Sequence, residues 1–368
     1  MLVDLRTPPG QSVAKVVEFA QQCEEAGIAG CGFNDAQMFF RDTYVVMSHV
    51  LANTRRLRVH PALTCPGPRH TSIVASAAKT VQEFGPDRFE LWLGRGNAAL
   101  RLVGMPQLTI KEMRDAVTKI KRFMAGERDV YTPVQGISDY VKLHHGGGQP
   151  VPLFVSAGGP IMMRMGGELG DGVLVHCPLT KAGLAEARKQ IAEGAARVGK
   201  DPKQVYEVVQ MRCLIRETKK EAVRSWSPLV LRLLARAEGE DWLKHHGIDY
   251  DIAPLKSKFQ EAAKQLRNLY PDASHYEDRE AAEKIAGVVP EELQLVCGDA
   301  MAVLGDPEQV TKRVLQLKSW GVYHIYLYPI ETFQFPYPEL KGFREAIRPA
   351  LEKSAGEKSS HPALTGAR

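Results

Sequence analysis

Ser156-Ala157-Gly158-Gly159-Pro160 has the chemistry of an anion cradle. Glycines at 158 and 159 remove the side chains that would keep an anion off the backbone, and Pro160 suits a first helical turn, where its missing N–H costs nothing. The N–H groups of such a turn can face a phosphate. Helix-terminus attraction is only about 0.3–2 kcal/mol per charge, so firm binding needs neighbouring cations. An ordinary tight strand-to-helix turn accounts for the same residues. Gly94-Arg95-Gly96-Asn97 offers a cation and an amide to a cofactor edge; in the plainer reading Arg95 pairs with Asp87 or Glu90. Thr64-Cys65-Pro66-Gly67-Pro68-Arg69-His70 carries two prolines that stiffen a loop into a wall for a planar ring. His70 is then either a proton carrier or a helix cap. Asp35, within Asn34-Asp35-Ala36-Gln37, is an acid or base, or else a buried hydrogen-bond acceptor, and His176-Cys177 offers a further imidazole.

These residues gain meaning from the elements that lead into them. β-branched and aromatic runs alternate with longer helical patterns, the mark of β-α-β units and a parallel sheet. Strands are expected at 1–5, 29–33, 57–64, 89–94, 152–156, 172–176, within 205–215, and at 322–328. Between them Ser12 caps a helix ending at Gly27, Asp42 opens another, and 70–84, 110–125, 160–169, 181–198 and 219–236 read as helices. Val130 to Leu143 reads as an inserted hairpin, and Gly305-Asp306-Pro307-Glu308 opens the helix before the last strand. Eight β/α units favour a closed (β/α)₈ TIM barrel over an open doubly wound sheet. In a barrel, chemistry gathers beyond the carboxyl ends of the strands, where every segment named above falls. Residues 238–295, between strands seven and eight, are too long for an ordinary connection and are either a solvated helical insertion or a lid. Residues 354–368 form an expected frayed tail.

The 368 residues are 44% hydrophobic and 25% charged, which excludes disorder over most of the chain. A net charge of +5 spread along the sequence argues against a dedicated nucleic-acid binder. Six scattered cysteines form no C-x-x-C, and the His144-His145 and His245-His246 pairs lack metal-ligand spacing, so neither a metal site nor a disulfide framework is expected. Asp4 and Arg6 interrupt any secretory leader, and no apolar run reaches membrane-spanning length; a cytoplasmic protein is expected. No nucleotide P-loop, hydrolase elbow or H-E-x-x-H motif is present. The cluster Phe333, Phe335, Pro336, Tyr337 and Pro338 either packs the chain end or roofs the site.

Taken in order, Glu25-Ala-Gly-Ile, Asn34-Asp-Ala-Gln with Arg41-Asp42, Ala52-Asn-Thr-Arg-Arg-Leu-Arg, Thr64-Cys-Pro-Gly-Pro-Arg-His, Gly85-Pro-Asp-Arg-Phe-Glu-Leu, Leu93-Gly-Arg-Gly-Asn-Ala, Ser156-Ala-Gly-Gly-Pro and Gly167-Glu-Leu-Gly-Asp-Gly-Val resemble the bacterial luciferase-like superfamily of flavin- and deazaflavin-dependent oxidoreductases. The Ala-Gly-Gly-Pro and Arg-His pattern is more similar to the branch containing methylenetetrahydromethanopterin reductase than to luciferase. The resemblance implies one barrel domain over 1–353, a reduced isoalloxazine-type ring at the strand ends, its phosphate at Gly158-Gly159, and a non-prolyl cis peptide near Leu63 to Cys65. Thr64, Cys65, Arg69, Arg95, Asn97, Ser156, Ala157, Gly158 and Gly159 are the implied cofactor-binding residues, and Asp35, His70, His176 and Asn97 the catalytic candidates. Two departures stand out. Ala36 occupies the position of the catalytic histidine of the glucose-6-phosphate dehydrogenase relatives, and Asn97 that of their carboxylate. A positioned acid or base is worth roughly 10²–10⁴ in rate, so a sugar-oxidising mechanism is not implied.

The resulting expectation is hydride transfer between coenzyme F420 and a small organic substrate, in a homodimer. The alternatives are an FMN-dependent monooxygenase served by a separate flavin reductase, a non-catalytic flavin-binding protein, and a barrel that uses the phosphate turn for a sugar phosphate.

Overall fold

The computed structural model describes residues 1–130, 140–269, 283–329 and 333–354. Its principal strands are β1 (Leu2–Thr7), β2 (Gly30–Phe33), β3 (Arg58–Pro61), β4 (Leu91–Leu93), β5 (Leu153–Ala157), β6 (Gly172–Val175), β7 (Tyr206–Ile215), β8 (Ala302–Gly305) and β9 (His324–Pro329). Pairing is parallel and follows the order β3-β2-β1-β9-β7-β6-β5-β4. Parallel bridges Val59 to Phe89 and Thr64 to Leu93 bring β3 back to β4, so the eight barrel strands form a nearly closed ring. This is the TIM-barrel class read from the sequence. The non-prolyl cis bond lies at Ala62–Leu63, between those two bridges.

The helices between strands are α1 (Val13–Ala26), α2 (Thr43–Asn53), α3 (Thr71–Phe84), α4 (Ile110–Met124), α5 (Pro160–Leu169), α6 (Lys181–Ala196) and α7 (Lys219–Leu234). All but α5 start where a side chain satisfies an orphan amide of the first turn. Ser12 caps α1, which ends at Gly27 with φ 88°; Asp42 caps α2 through the amides of Tyr44 and Val45. Thr109 and Glu112 form a reciprocal capping box on α4.

Side chains at alternate strand positions point inward. Phe154, Leu174, Val208, Trp92 and Tyr326 fill the barrel, with His60 stacked on Trp92 at 3.4 Å between ring centroids. Glycine makes room for this packing: a Cβ on Gly32 would lie 2.5 Å from the Tyr326 hydroxyl, and one on Gly172 2.2 Å from the Phe154 ring. Beneath the rings the interior is charged. Arg58 bridges Asp4 at 3.0 Å and Glu90 at 2.8 Å, and His324 lies 3.0 Å from Asp4.

The sequence reading missed β8. Arg212 and Cys213 of β7 pair with both β9 and β8, so β8 lies on the β6 side of β7, beyond the point where β6 stops at Val175. Its four residues give too short a pattern to separate from the adjoining helix end. The inserted hairpin consists of two-residue strands, Asp129–Val130 and Tyr140–Val141; residues 131–139 lie outside the described part, as does the expected tail beyond Ser354.

The insertion carries α8 (Gly239–His245), α9 (Lys256–Leu269) and α10 (Glu291–Met301), followed after β8 by α11 (Pro307–Ser319). Its apolar side chains, Leu243, Ile252, Phe259, Leu266 and Leu293, join Trp226 and Leu234 of α7 in a second core. The residues near the chain end largely pack: Phe335 stacks on Phe19 at 4.6 Å, while Phe333 lies 5.7 Å from Phe40, which itself reaches the cavity described next.

Candidate active site

A cavity of about 750 Å³ opens at the carboxyl ends of the barrel strands. Of the residues singled out by sequence, Asp35, Thr64, Cys65, Arg95, Asn97, Ser156, Gly158, Gly159 and His176 line it. They come from loops far apart in the chain, gathered because each follows an adjacent strand of the ring.

The wall after β3 is built on a buried carboxylate. Asp35 accepts hydrogen bonds from the Thr64 hydroxyl and from Arg69 Nη1, the latter at 2.5 Å, while Arg69 Nη2 reaches Asp42 at 2.8 Å. Asp35 therefore positions Thr64, and Arg69 braces the wall from behind instead of lining the cavity as expected. Burial pushes the Cys65 thiol up to about 11, so it is a neutral wall group. Arg6, also buried, donates from Nε to Asn34 at 2.8 Å and fixes that amide at the cavity rim.

His70 lies outside the lining. Its Nδ1 is 2.8 Å from the Ser72 hydroxyl and 3.4 Å from the Ser72 amide, so the ring caps α3 at the surface. The cap alternative describes its position. Ala157 is buried in β5, where its carbonyl accepts from the His176 amide at 2.9 Å, and it too stays behind the lining. Arg95 pairs with neither Asp87 nor Glu90: its Nε donates to the Leu108 carbonyl at 2.7 Å, and Glu90 is engaged by Arg58 and Trp92.

The turn after β5 is open. Gly159 caps α5 in an extended conformation, φ −147° and ψ 166°, with no side-chain cap and Pro160 in the first turn. A Cβ on Gly159 would meet nothing within 4 Å, and one on Gly158 only His176 Cβ at 3.7 Å. Nothing in the protein's own packing requires glycine there. The small residues leave room for something outside the chain to approach the first-turn amides.

Beside the turn, Ser156 Oγ and His176 Nε2 share a hydrogen bond at 2.9 Å. Burial, and then the nearby Arg212 charge, lower the His176 pKa to about 4, so the imidazole is neutral at pH 7. Arg212, Arg232, Arg236, Leu229 and Tyr328 complete the lining on the β7 side, and none was singled out from sequence. Strand parity was the available signal for Arg212, since it shares the inward set with Val208. For α7 the signal was the i, i+3 spacing of Leu229 and Arg232, while Arg236 lies just past the end of the helix.

A parallel barrel with an arginine-rich cavity over an open glycine turn defines an enzyme built to hold an anionic cofactor or substrate at its strand ends. The chain belongs to the luciferase-like monooxygenase family, whose sequence profile matches residues 3–324. It is an oxidoreductase of that family. It is 29% identical over 252 residues to the 5,10-methylenetetrahydromethanopterin reductase of Methanolobus tindarius, covering 66% of this chain and 73% of the relative. It is 26% identical over 239 residues to the F420-dependent glucose-6-phosphate dehydrogenase of Kineococcus radiotolerans, covering 59% and 69%. Among solved structures, the coenzyme F420-dependent tetrahydromethanopterin reductase of Methanopyrus kandleri superposes with a TM-score of 0.71 at 19% identity, covering 95% of this chain and 98% of that one. That last likeness is one of fold. No described helix is long and apolar enough to cross a membrane.

Proposed function

We propose that this chain transfers a hydride between coenzyme F420 and a small organic substrate. The observation that carries the reading is the open Gly158-Gly159 turn facing a cavity that, among the described residues, is lined by four arginines and one carboxylate. Similarity to F420-dependent relatives supports the choice of cofactor. The residues fit such a group: Gly158, Gly159 and the first turn of α5, with Arg95, would hold its phosphate, and Leu63, Thr64 and Cys65 would back its ring. When bound, the deazaflavin supplies the hydride-carrying ring. The protein supplies orientation, electrostatics and water exclusion.

His176 is the group placed to exchange the accompanying proton. Its neutral imidazole accepts at one ring nitrogen, and the Ser156 hydroxyl at 2.9 Å holds the ring in orientation. Asn97 contributes a carboxamide that hydrogen-bonds substrate or ring without titrating. Asp35, tied to Thr64 and Arg69, acts on the wall and not on the substrate.

Titrating the purified chain with F420 and with FMN tests the reading. F420 is expected to bind at least tenfold more tightly; tight FMN binding with no response to F420 overturns the choice. Oxygen uptake coupled to product formation, with FMN and a separate flavin reductase, would instead assign the monooxygenase alternative. The proposal also includes a homodimer acting in the cytoplasm. Light scattering of the purified chain reads the mass directly.

A further inference from the structure

The described lining of the cavity holds Arg95, Arg212, Arg232 and Arg236 against a single carboxylate, Asp35. Asp35 is paired with Arg69 at 2.5 Å. The arginines fall into two groups by their place in the ring. The ring wall after β3, the Arg95 loop after β4 and the glycine turn after β5 occupy one continuous arc of adjacent strands. Arg212 comes from β7, which β6 separates from that arc. Arg232 comes from the last turn of α7 and Arg236 from the chain just after it.

On α7, Leu229 and Arg232 lie at i and i+3 on one face, and Arg236 follows two residues beyond the end of the helix at Leu234. Val223, Val230 and Leu234 lie on the other side of the helix and are buried in the second core. The described residues of the insertion contribute no side chain to the cavity. They pack behind α7, and so fix the helix whose last turn brings Arg232 to the site. Two guanidiniums at the end of a helix and just beyond it, both lining one cavity, are suited to a planar or tetrahedral oxyanion, which the guanidinium fork meets with paired hydrogen bonds.

We propose that Arg232 in the last turn of α7 and Arg236 just beyond it, with Arg212 on β7, form the subsite for a carboxylate or phosphate group of the substrate. The inference rests on the hydride-transfer reading for its division of the cavity: the arc from β3 to β5 takes the cofactor, and the β7 side takes the second reactant. Ser156 and His176, at the ends of β5 and β6, stand between the two regions. The substrate is thus a small organic anion held by its charged end on α7, with its reacting carbon toward the β5–β6 boundary.

The test is calorimetric titration of inorganic phosphate into the protein, with and without saturating F420, for wild type, R232Q/R236Q and R232K/R236K. Saturation with F420 blocks the glycine turn and leaves the α7 face. Phosphate should still bind the loaded wild type, and R232Q/R236Q should weaken it roughly tenfold or more while leaving the F420 Kd unchanged. R232K/R236K, which keeps the charge but not the fork, should recover part of the loss. If F420 abolishes phosphate binding, and R232Q/R236Q weakens F420 itself, the arginines serve the cofactor and the subsite assignment is overturned. Equal phosphate affinity in wild type and R232Q/R236Q, both with unaltered melting temperature, overturns it as well. Failure of F420 to bind refutes the cofactor reading alone. The arginine site is then judged in the unloaded protein by the same difference between wild type and R232Q/R236Q.

Discussion

Gly159→Val separates a turn kept open for a ligand from one that is small for the fold's sake. Gly159 has extended backbone, φ −147° and ψ 166°, which valine adopts readily, and a Cβ there meets nothing within 4 Å. Two small terms oppose each other in stability. Valine is a poorer N-cap than glycine by up to about 1 kcal/mol, and it restricts the unfolded chain by a comparable amount, about 0.4–1 kcal/mol. The net change is within about 1 kcal/mol, which moves the melting temperature by roughly 2 °C or less in a chain of this size. The effect on an anion at the turn is larger. A branched side chain standing where a phosphate approaches the first-turn amides removes one or two charge-assisted hydrogen bonds of about 1.5–3 kcal/mol each. A loss of about 3 kcal/mol is roughly 100-fold in Kd. Fluorescence titration with F420 measures the second quantity and a thermal melt the first. Gly172→Ala is the opposite control: its Cβ would lie 2.2 Å from Phe154, so it should destabilise by about 1–3 kcal/mol without acting directly on the turn. A folded Gly159→Val protein with wild-type F420 affinity would refute the assignment of this turn.

Three further outcomes are expected. His176, with its pKa lowered to about 4 against an ordinary 6.5, is neutral across the working range, so kcat/KM should show no step from this group near pH 6.5 and should fall near pH 4; H176N should remove that fall. For stability, the unfolded histidine takes up its proton first as pH drops, so the contribution is complete above about 6.5 and is lost between there and about 4, as urea denaturation at several pH values can read. At Asp4, burial alone would raise the carboxyl pKa, but Arg58 and then His324 outweigh it and hold the group well below the usual range. Its contribution is therefore full above the ordinary value and lost as pH falls through the folded one, and D4N, which leaves Arg58 facing a neutral amide, should cost about 3–5 kcal/mol in denaturant unfolding at pH 7. W226A empties the second core of its fully buried indole, over which the Arg212 guanidinium lies at 5.8 Å; a loss of about 3–5 kcal/mol is expected, with phosphate affinity of the loaded protein falling more than F420 affinity.

Repeating local patterns made the barrel legible. Ser12, Asp42 and Thr109 mark helix starts through hydrogen bonds that span two or three residues, and the inward and outward alternation of a strand is a property of that strand alone. For the same reason the Ser156 to Pro160 turn could be recognised as a candidate before its surroundings were known. What each polar loop residue touches was beyond such reasoning. Arg69 and His70 are neighbours in sequence, yet one reaches back to Asp35, 34 residues earlier, and the other turns out to cap its own helix.

By itself, the amino-acid sequence determined the alternation of strands and helices, the strand ends as the place for chemistry, and a glycine turn that was either an anion cradle or an ordinary tight connection. Tertiary structure decided the rest. It put buried Arg6 against Pro329, 323 residues away, and set Asp4, Arg58 and Glu90 as a charged layer beneath the rings. It also brought Arg212, Arg232 and Arg236 to the cavity, the last two at the end of a helix and just beyond it, held by a core that sequence periodicity did not reveal. The physical reason is the range of the forces. Hydrogen-bond caps and side-chain alternation act over a few residues, whereas the charge at a site is the sum over whatever chain closure brings within a few ångströms.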